Sequence, residues 1–496
     1  LNKLESDGYR DNGEYLRYSA FTKLNYENAK GNRWTLLFSA IDLKAFIPSS
    51  LNEEDFTNNP EKAAFTWFQS AGFESYKKYI GGLSYAHNFS ENLRNETSIF
   101  FNIRDGYEPR PFNILDEDRT SIGLRTRFNL NLNILGKTSE LSFGAEVLNE
   151  WYATATFQNL YENFEARESV QGDQLSDNEQ DRNYFNVFTQ LNINLTEELV
   201  LEAGLNLNTT AYELQDNFPG DEINQSGHYR FTSILSPRLG LSYEVAESKN
   251  VYASVSHGFS TPTVAETLTP DGLINTSLKP ETGLNYEIGF KGSWLRNRLY
   301  TELSLYSIQI RNLLVARRVD QDQFVGVNAG KSDHNGIEFS TRYRTELGGN
   351  VSISPYINSN FNFFEFERFV DLGENYSGNE IPGVPKYMVN LGIDLTYFNG
   401  FRSNLNYQAF GETALNDANS KYADAYQLLN FTTGYTRQIN SKLELGLNFG
   451  INNILDEQYA ASVLTNAVGF GGRAPRFFYP GNPRNYFGGF KVRYNL

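Results

Sequence analysis

The chain has 496 residues, 15% of them aromatic, and a formal net charge of −16 at pH 7. This negative charge argues against nucleic acid as a partner, because phosphate binding depends on clustered lysine and arginine. The sequence contains no cysteine, which excludes disulfide frameworks, thiolate metal sites and cysteine nucleophiles. A mean hydropathy of −0.49 is usual for a soluble protein. The same value is also expected of a barrel with a water-filled interior, because each strand exposes only every second residue to lipid.

The apolar stretches of the sequence are too short for a membrane-spanning helix, which needs about 18 apolar residues in succession. The longest of them, such as Leu313 to Ala316, cover only a few residues. We therefore predict that the chain does not enter a membrane through helices. The sequence starts without a charged segment followed by an apolar one, so we expect any export signal to lie outside it.

The clearest periodicity lies in residues 183–208. Apolar side chains, among them Val187 and Leu191, alternate with polar ones, and the alternation resumes after residues 196–198. A period of two residues predicts strands, and the short break predicts a tight hairpin. A similar strand is predicted at residues 387–397. These strands exceed the five or six residues usual in soluble sheets and match the roughly 9 to 11 that a tilted strand needs to cross a membrane.

Short turns alternate with long polar connections along the chain. The short turns are predicted at residues 90–92, 135–137, 196–198, 246–248, 295–297, 399–400 and 440–441. The long connections are predicted at residues 47–75, 105–117, 159–182, 214–229, 259–282, 367–383 and 453–483. Outer-membrane barrels have this asymmetry, with tight turns at the periplasmic rim and extended loops at the extracellular rim. We therefore predict an all-β fold, a transmembrane antiparallel β-barrel.

The connections divide the chain into about nineteen predicted strands, the first near residues 14–26 and the last near residues 484–496. An odd number cannot place both ends of a closed barrel in the periplasm. We therefore expect the chain to begin in an extracellular loop, after an odd number of missing strands. Three further strands would give about 22, the size of the plugged outer-membrane transporters. The alternative is a soluble all-β protein such as a propeller or β-helix, against which the lack of internal repeats argues.

Several strings resemble landmarks of TonB-dependent receptors in both order and spacing. They are residues 236–243 (SPRLGLSY), 251–262 (VYASVSHGFSTP), 278–282 (LKPET), 328–330 (NAG), 335–338 (NGIE), 451–459 (INNILDEQY) and 483–490 (PRNYFGGF). Nearer the N-terminus, residues 7–12 and 47–51 resemble the early barrel of members that carry ferric chelates. The resemblance covers essentially the whole chain.

This resemblance implies that residues 1–496 are the β-barrel domain of such a receptor, truncated at the N-terminus and without the plug domain. It implies a barrel of 22 strands in the intact protein and a location in the outer membrane of a Gram-negative bacterium. The implied partners are outer-membrane lipid, lipopolysaccharide and the TonB energy-coupling complex, the last through the missing N-terminal region. The resemblance further implies a monomeric barrel without enzymatic activity, and we expect no cofactor.

The implied function is energy-driven import of a ferric chelate, either a siderophore or ferric citrate. A vitamin or another metal chelate is the alternative cargo, and a passive porin or a surface adhesin is the alternative outside active transport. The last long connection carries arginine and aromatic side chains suited to gripping and stacking on an anionic chelate. The candidate substrate-binding residues are Arg473, Arg476, Phe477, Tyr479 and His257. Alternatively, this connection only folds over the barrel mouth.

Other residue types give no sign of a catalytic or metal site. Ser256 and His257 are adjacent and so face opposite sides of a strand, and the four histidines lack the pair spacing of metal ligands. Residues 159–182 contain seven acidic residues against two arginines. We interpret them as a solvated acidic loop. The alternatives are divalent-cation bridging to lipopolysaccharide and recruitment of a cationic substrate.

Overall fold

The computed structural model describes residues 1–220, 224, 226–262, 275, 277–320, 323–328, 330–397, 399–469 and 472–495. Most of these residues lie in β-strands. Over the described ranges, no helix is both long enough and apolar enough to cross a membrane.

The strands of the described ranges are long, and small hairpins lie in some of the connections. They are β1 (Asn2–Ser6), β2 (Tyr15–Glu27), β3 (Arg33–Phe46), β4 (Phe73–Asn88), β5 (Leu93–Arg110), β6 (Asn113–Ile134), β7 (Lys137–Asn159), β8 (Gln171–Asn194), β9 (Leu199–Asp216), β10 (Gly227–Arg230), β11 (Ile234–Ala246), β12 (Lys249–Ser260), β13 (Glu281–Trp294), β14 (Leu299–Arg311), β15 (Leu314–Asp320), β16 (Gln323–Asn328), β17 (Lys331–Tyr343), β18 (Thr345–Leu347), β19 (Val351–Arg368), β20 (Val370–Asp371), β21 (Glu374–Asn375), β22 (Tyr387–Tyr397), β23 (Phe401–Phe410), β24 (Thr413–Ala414), β25 (Tyr422–Ala423), β26 (Tyr426–Gln438), β27 (Leu443–Asn452), β28 (Ala460–Val463), β29 (Phe478–Pro480) and β30 (Asn485–Tyr494). The helices are α1 (Glu53–Asn58), α2 (Phe65–Gln69) and a 3-10 turn (Tyr161–Asn163).

The long strands pair in antiparallel register, each with its neighbours along the chain, to form one large sheet. In the described part of the chain this sheet contains 22 strand segments. β10 and β11 both pair with β9, and β17 and β18 both pair with β19, so these 22 segments fill 20 positions. The prediction of about nineteen strands omitted β1. The expectation that the chain begins in a loop is wrong, because residues 2–6 pair with β2.

The two ends of the sheet approach each other at one rim, so the sheet curves into a barrel. The hydroxyl of Tyr9, in the connection after β1, donates to the carbonyl oxygen of Gly481, just before β30, at 2.9 Å. Leu51 and Phe478, from the connections after β3 and β27, exchange backbone hydrogen bonds of 2.7 and 3.1 Å. This architecture confirms the predicted all-β antiparallel barrel.

The short turns lie at one rim and the long connections at the other, as predicted, but two loop boundaries are wrong, and the long connections from β14 to β17 and from β23 to β26 were not predicted. β5 and β6 continue through the predicted loop at residues 105–117 and are joined by a turn at residues 111–112. β8 begins at Gln171, so half of the predicted 159–182 loop is strand. The physical reason is that apolar and polar side chains do not alternate regularly along these strand ends. The alternation that marks a strand in the sequence is therefore lost there.

Apolar and polar side chains alternate along the strands, so the outer face of the barrel is apolar and the inner face is polar. Phe185 and Val187 of β8 are 45% and 41% exposed. Asn186 between them is 9% exposed, and its register partner Asn208 on β9 is 1% exposed. Rows of exposed apolar side chains on long strands suit contact with lipid hydrocarbon, and a polar interior suits a water-filled or plugged lumen.

Tyrosine rings on the inner face lie over glycines of the neighbouring strand. Tyr252 is the register partner of Gly289, and Tyr356 is the register partner of Gly392. At each glycine, the tyrosine ring occupies the space that a Cβ atom would need. The glycines therefore serve close packing between strands.

Candidate functional site

Two long loops from opposite ends of the sequence pack against each other at one rim of the barrel. We call residues 47–72, between β3 and β4, the helix loop, and residues 453–484, between β27 and β30, the final loop. Besides the backbone hydrogen bonds of Leu51 and Phe478, the rings of Phe56 and Phe478 stack with their centres 4.7 Å apart. Gln458 of the final loop donates to the carbonyl oxygens of Phe56 and Thr57. The two loops thus form one supported surface at the barrel mouth.

An open cleft of about 1110 Å³ lies between the helix loop and the final loop. α2 lines it with Phe65 and Phe68, whose side chains are 62% and 36% exposed. The guanidinium carbon of Arg473, from the final loop, lies 4.9 Å from the centre of the Phe65 ring. A guanidinium stacked on a ring keeps the N–H groups at its edge available for an anion.

Phe68, the second phenylalanine of α2, contacts an arginine of another loop. Arg167 places its guanidinium carbon 4.1 Å from the Phe68 ring centre and donates to the Phe68 carbonyl oxygen at 2.7 Å. It also donates to the side-chain oxygen of Asn12. Arg167 therefore fixes the orientation of α2 and of the rings that α2 presents to the cleft.

The charges that line the cleft are only partly paired. Lys62 lies 2.8 Å from Asp55, and Lys421 pairs with Glu53. The hydrogen bond from Lys62 holds the pKa of the Asp55 carboxyl below its usual value. Along the described ranges, Arg473 takes part in no ion pair.

Two carboxylates of the same cleft, Glu54 and Asp11, are exposed. Within the described residues neither of them has an ion-pair partner. The cleft therefore presents one available guanidinium and two available carboxylates, beside the exposed rings of α2.

Two buried arginines bond to the helix loop. Arg476 is 6% exposed, and its Nη1 lies 3.4 Å from the hydroxyl oxygen of Thr66. Arg10 is 8% exposed and donates through Nε and Nη2 to the carbonyl oxygen of Lys62 at 3.2 and 2.8 Å. Burial lowers the pKa of Arg10. Both arginines fix the helix loop in place.

The family model for the TonB dependent receptor-like β-barrel matches residues 3–454. The chain belongs to this family. The family resemblance inferred from the sequence is thereby confirmed.

Individual proteins similar to this receptor barrel come from curated sequences and from solved structures. The ferric-pyoverdine 358 receptor of Pseudomonas putida is 24% identical over 320 residues, 60% of this chain and 34% of that receptor. The ferric citrate transporter FecA in its unliganded form matches with a TM-score of 0.79 and 18% identity, over 97% of this chain and 71% of that chain. The siderophore receptor PiuA from Acinetobacter baumannii matches with a TM-score of 0.74 and 15% identity, over 98% of this chain and 75% of that chain. This chain spans about a third of the length of the curated relatives that it matches.

The predicted binding residues of this receptor barrel have different surroundings. Arg473 and Arg476 both line the cleft. Phe477 is 3% exposed and belongs to a loop core with Leu415, Ala423 and Phe478. Its ring has almost no accessible surface and packs within this loop core, and its predicted contact with substrate stays a prediction.

The remaining two candidates lie outside the cleft. Tyr479 is half-buried in β29, where it pairs with Ser462. His257 lies in β12 with its Nδ1 3.0 Å from the hydroxyl oxygen of Ser236. Alternation along β12 places His257 on the same face as Val251, which is 37% exposed on the outside of the barrel. The structure therefore does not bring His257 together with Arg473, and its predicted substrate contact is untested.

Sequence reasoning missed Phe65, Phe68 and Arg167. Phe65 and Phe68 are ordinary residues of a polar connection in the sequence, and the stacking of each under an arginine depends on contacts with distant loops. One signal in the sequence was the cluster of aromatic residues around Trp67 within a long loop.

The acidic side chains at residues 159–182 are not gathered at one place. Asp177, Glu179 and Asp181 are spread along β8. Across the described part of the chain, no three histidine, cysteine, aspartate or glutamate side chains are grouped so that they could hold a metal ion. Cation bridging to lipopolysaccharide therefore gains no support from this region.

A smaller cavity of about 310 Å³ lies on the inner face of the barrel wall. Its polar residues include Glu302, Glu338 and Asn390, and its described lining contains no lysine or arginine. Glu302 is already paired with Lys291 at 2.7 Å, and an anionic ligand would meet the carboxylate of Glu338 there. The cleft between the helix loop and the final loop is therefore the better candidate for a site that recognises anions.

Proposed function

We propose that this chain is the barrel of an outer-membrane receptor that binds a ferric chelate, a siderophore or ferric citrate, and imports it with energy from the TonB system. The extracellular cleft is the first binding site for the chelate. The polar lumen beneath it is the path of entry. The chain contributes binding and passage and carries out no catalytic step.

The observation that carries this proposal is the cleft itself. It combines an available guanidinium on Arg473 with the exposed rings of Phe65 and Phe68, at the mouth of a barrel with a polar interior. Ferric chelates with carboxylate or catecholate donors are anionic and partly apolar, and these are the groups that bind them. The names of similar proteins support the same cargo class: a ferric-pyoverdine receptor, a siderophore receptor and a ferric citrate transporter.

The apolar outer face and the rows of exposed Phe185 and Val187 support a location in the outer membrane of a Gram-negative bacterium. In that setting, the outer face contacts lipid and the extracellular rim contacts lipopolysaccharide. We propose a monomeric barrel, because the polar lumen lies within one chain.

The direct test is binding of a panel of ferric siderophores, ferric citrate and cobalamin to the full-length protein, measured by tryptophan fluorescence. Trp67 lies in α2 between the two exposed phenylalanines and is 6% exposed, so a ligand in the cleft should change its emission. Trp67→Phe should remove the fluorescence change while retaining binding by calorimetry.

Binding of one ferric chelate at micromolar or lower concentration supports the proposal. Binding of cobalamin alone would keep the import function and replace the cargo. If no ligand binds and vesicles containing the protein leak small ions freely, the passive porin replaces the proposed receptor. If no ligand binds and ions do not leak, the adhesin alternative is favoured.

A further inference from the structure

The charge arrangement of the cleft restricts the kind of chelate that fits it. We propose that the cargo is a dipolar ferric chelate, which carries a planar anionic group and at least one protonated amine. This inference rests on the proposed function, because it concerns the chemistry of the chelate bound in the same cleft.

Arg473 is the reason for an anionic group on the chelate. Its guanidinium stacks on Phe65 at 4.9 Å and has no ion pair in the described part of the protein. Stacking reduces the freedom of the long side chain, so less entropy is lost when an anion binds. The fork of N–H groups matches a carboxylate, or a comparable planar pair of oxygens, in a bidentate manner.

The carboxylates of the cleft that form no ion pair within the described residues are the reason for an amine on the chelate. Lys62 and Lys421 neutralise Asp55 and Glu53. Glu54 and Asp11 line the same cleft and lie near Lys62 and Arg10 respectively, but over the described ranges neither carboxylate forms an ion pair within 4.0 Å. A chelate with only anionic groups would gain contact with Arg473 and meet repulsion from these two carboxylates. A chelate with an ammonium group on another part of its body gains both contacts.

The size and apolar surface of the cleft fit this class of molecule. A volume of about 1110 Å³ is slightly above the range of about 300 to 1,000 Å³ usual for drug-sized ligands. The exposed rings of Phe65 and Phe68 supply apolar contact for the backbone of the chelator. A bulky chelate can therefore lie across the cleft with its charged groups at different places.

The test compares three ferric chelates on the full-length protein. One is ferric citrate, which is anionic without an amine. The second is a peptidic ferric chelate with a free carboxylate and a protonated amine. The third is the same peptidic chelate with its amine acetylated. Dissociation constants are measured by calorimetry at low salt, because salt screens contacts between exposed charges.

The variants are Arg473→Gln, the double variant Glu54→Gln/Asp11→Asn, and two controls on the opposite rim. Arg296→Gln and Glu247→Gln lie in exposed turns after β13 and β11 and remove the same charge types. We expect the dipolar chelate to bind most tightly. Arg473→Gln should weaken its binding about tenfold, as for loss of a charge-assisted hydrogen bond.

The double variant should weaken the dipolar chelate roughly threefold to tenfold, and the acetylated chelate much less, because only the protonated amine contacts these carboxylates. The controls should leave all affinities unchanged. The inference is overturned if ferric citrate binds most tightly and the double variant strengthens it further, or if acetylation of the amine leaves the affinity unchanged. In those cases the proposed function stands. If none of the ferric chelates binds, the proposed function and this inference both fail.

Discussion

The guanidinium of Arg473 stacks on the ring of Phe65, although the two residues lie near opposite ends of the sequence. The contact forms because the final loop and the helix loop meet at the rim where the two ends of the sheet approach each other. The cleft between these loops therefore depends on the curvature of the whole barrel. Its ligand-binding groups are held by packed loops rather than by free loop tips.

The stacking contact itself gives a first prediction. Phe65→Leu keeps an apolar side chain but removes the ring that orients Arg473, so chelate affinity should fall about threefold, as for loss of a cation–π contact of roughly 0.5 to 1 kcal/mol. Calorimetry with the best-binding chelate measures this. Phe89→Leu, an equally exposed residue at the other rim, is the control and should bind as the unmodified protein does.

The buried ring of the final loop gives a second prediction. Phe477→Ala removes a side chain from the core with Leu415 and Phe478, which should cost about 3 to 5 kcal/mol of local packing. The final loop should then be cut more rapidly by protease, while the barrel strands stay protected. Phe65→Ala changes an exposed ring and should not alter the cleavage rate. Equal cleavage of both variants would contradict the assignment of Phe477 to a core.

Glycine packing on the inner face gives a third prediction. A Cβ atom at Gly289 would overlap the ring of Tyr252, so Gly289→Ala should destabilise the barrel by about 1 to 3 kcal/mol. A Cβ atom at Gly258, in the adjacent strand, has nothing within 4 Å, so Gly258→Ala is a matched control. The midpoint of heat-induced unfolding in detergent should fall for the first variant only. A similar fall in both variants would mean that the tyrosine is not the cause.

Two loop carboxyls should respond to pH in opposite directions. Burial raises the pKa of Asp417, so the packed loops bind a proton more readily than the opened loops do. The stabilisation from this proton is fully present below the usual value near 3.8, and packing near Asp417 should weaken as pH rises from there through the raised pKa. The hydrogen bonds from Arg484 lower the pKa of Asp456. Its contribution to packing is present above its usual value near 3.8 and is lost as pH falls through the lowered value.

Amide hydrogen exchange, corrected for the intrinsic effect of pH, measures both effects. The amide of Leu415, which donates to the Lys421 carbonyl oxygen, reports on the loop of Asp417. The amide of Arg484, which donates to Asp456, reports on the final loop. Asp417→Asn should abolish the first pH dependence and leave the second. Protection that changes in the same direction at both sites would contradict these assignments.

The barrel was predictable because lipid and a wet lumen impose alternation on each strand. Val187 and Leu191 showed this pattern in the sequence, and the structure places them in β8 as expected. The pattern failed at residues 105–117, where β5 and β6 continue without a regular alternation of apolar and polar residues. It also missed β1, which is too short to show a period.

The cleft was only partly predictable. The arginines of the final loop were singled out in the sequence, and Arg473 and Arg476 both line the cleft, while their contact with substrate stays a prediction. Their partners Phe65 and Thr66 lie in a connection far away in the sequence. Local composition cannot show which ring of a loop is exposed, as Phe65 is, and which is buried, as Phe477 is, because burial depends on the packing of distant loops.

The most direct test of the central claim is uptake of radiolabelled iron, supplied as the best-binding ferric chelate, by cells that express the full-length protein. The proposed function predicts uptake that requires this protein and an intact TonB system, and that falls about tenfold in Arg473→Gln at limiting chelate but not in Arg296→Gln. Uptake that continues at the same rate without the TonB system would contradict the claim and identify the barrel as a passive channel.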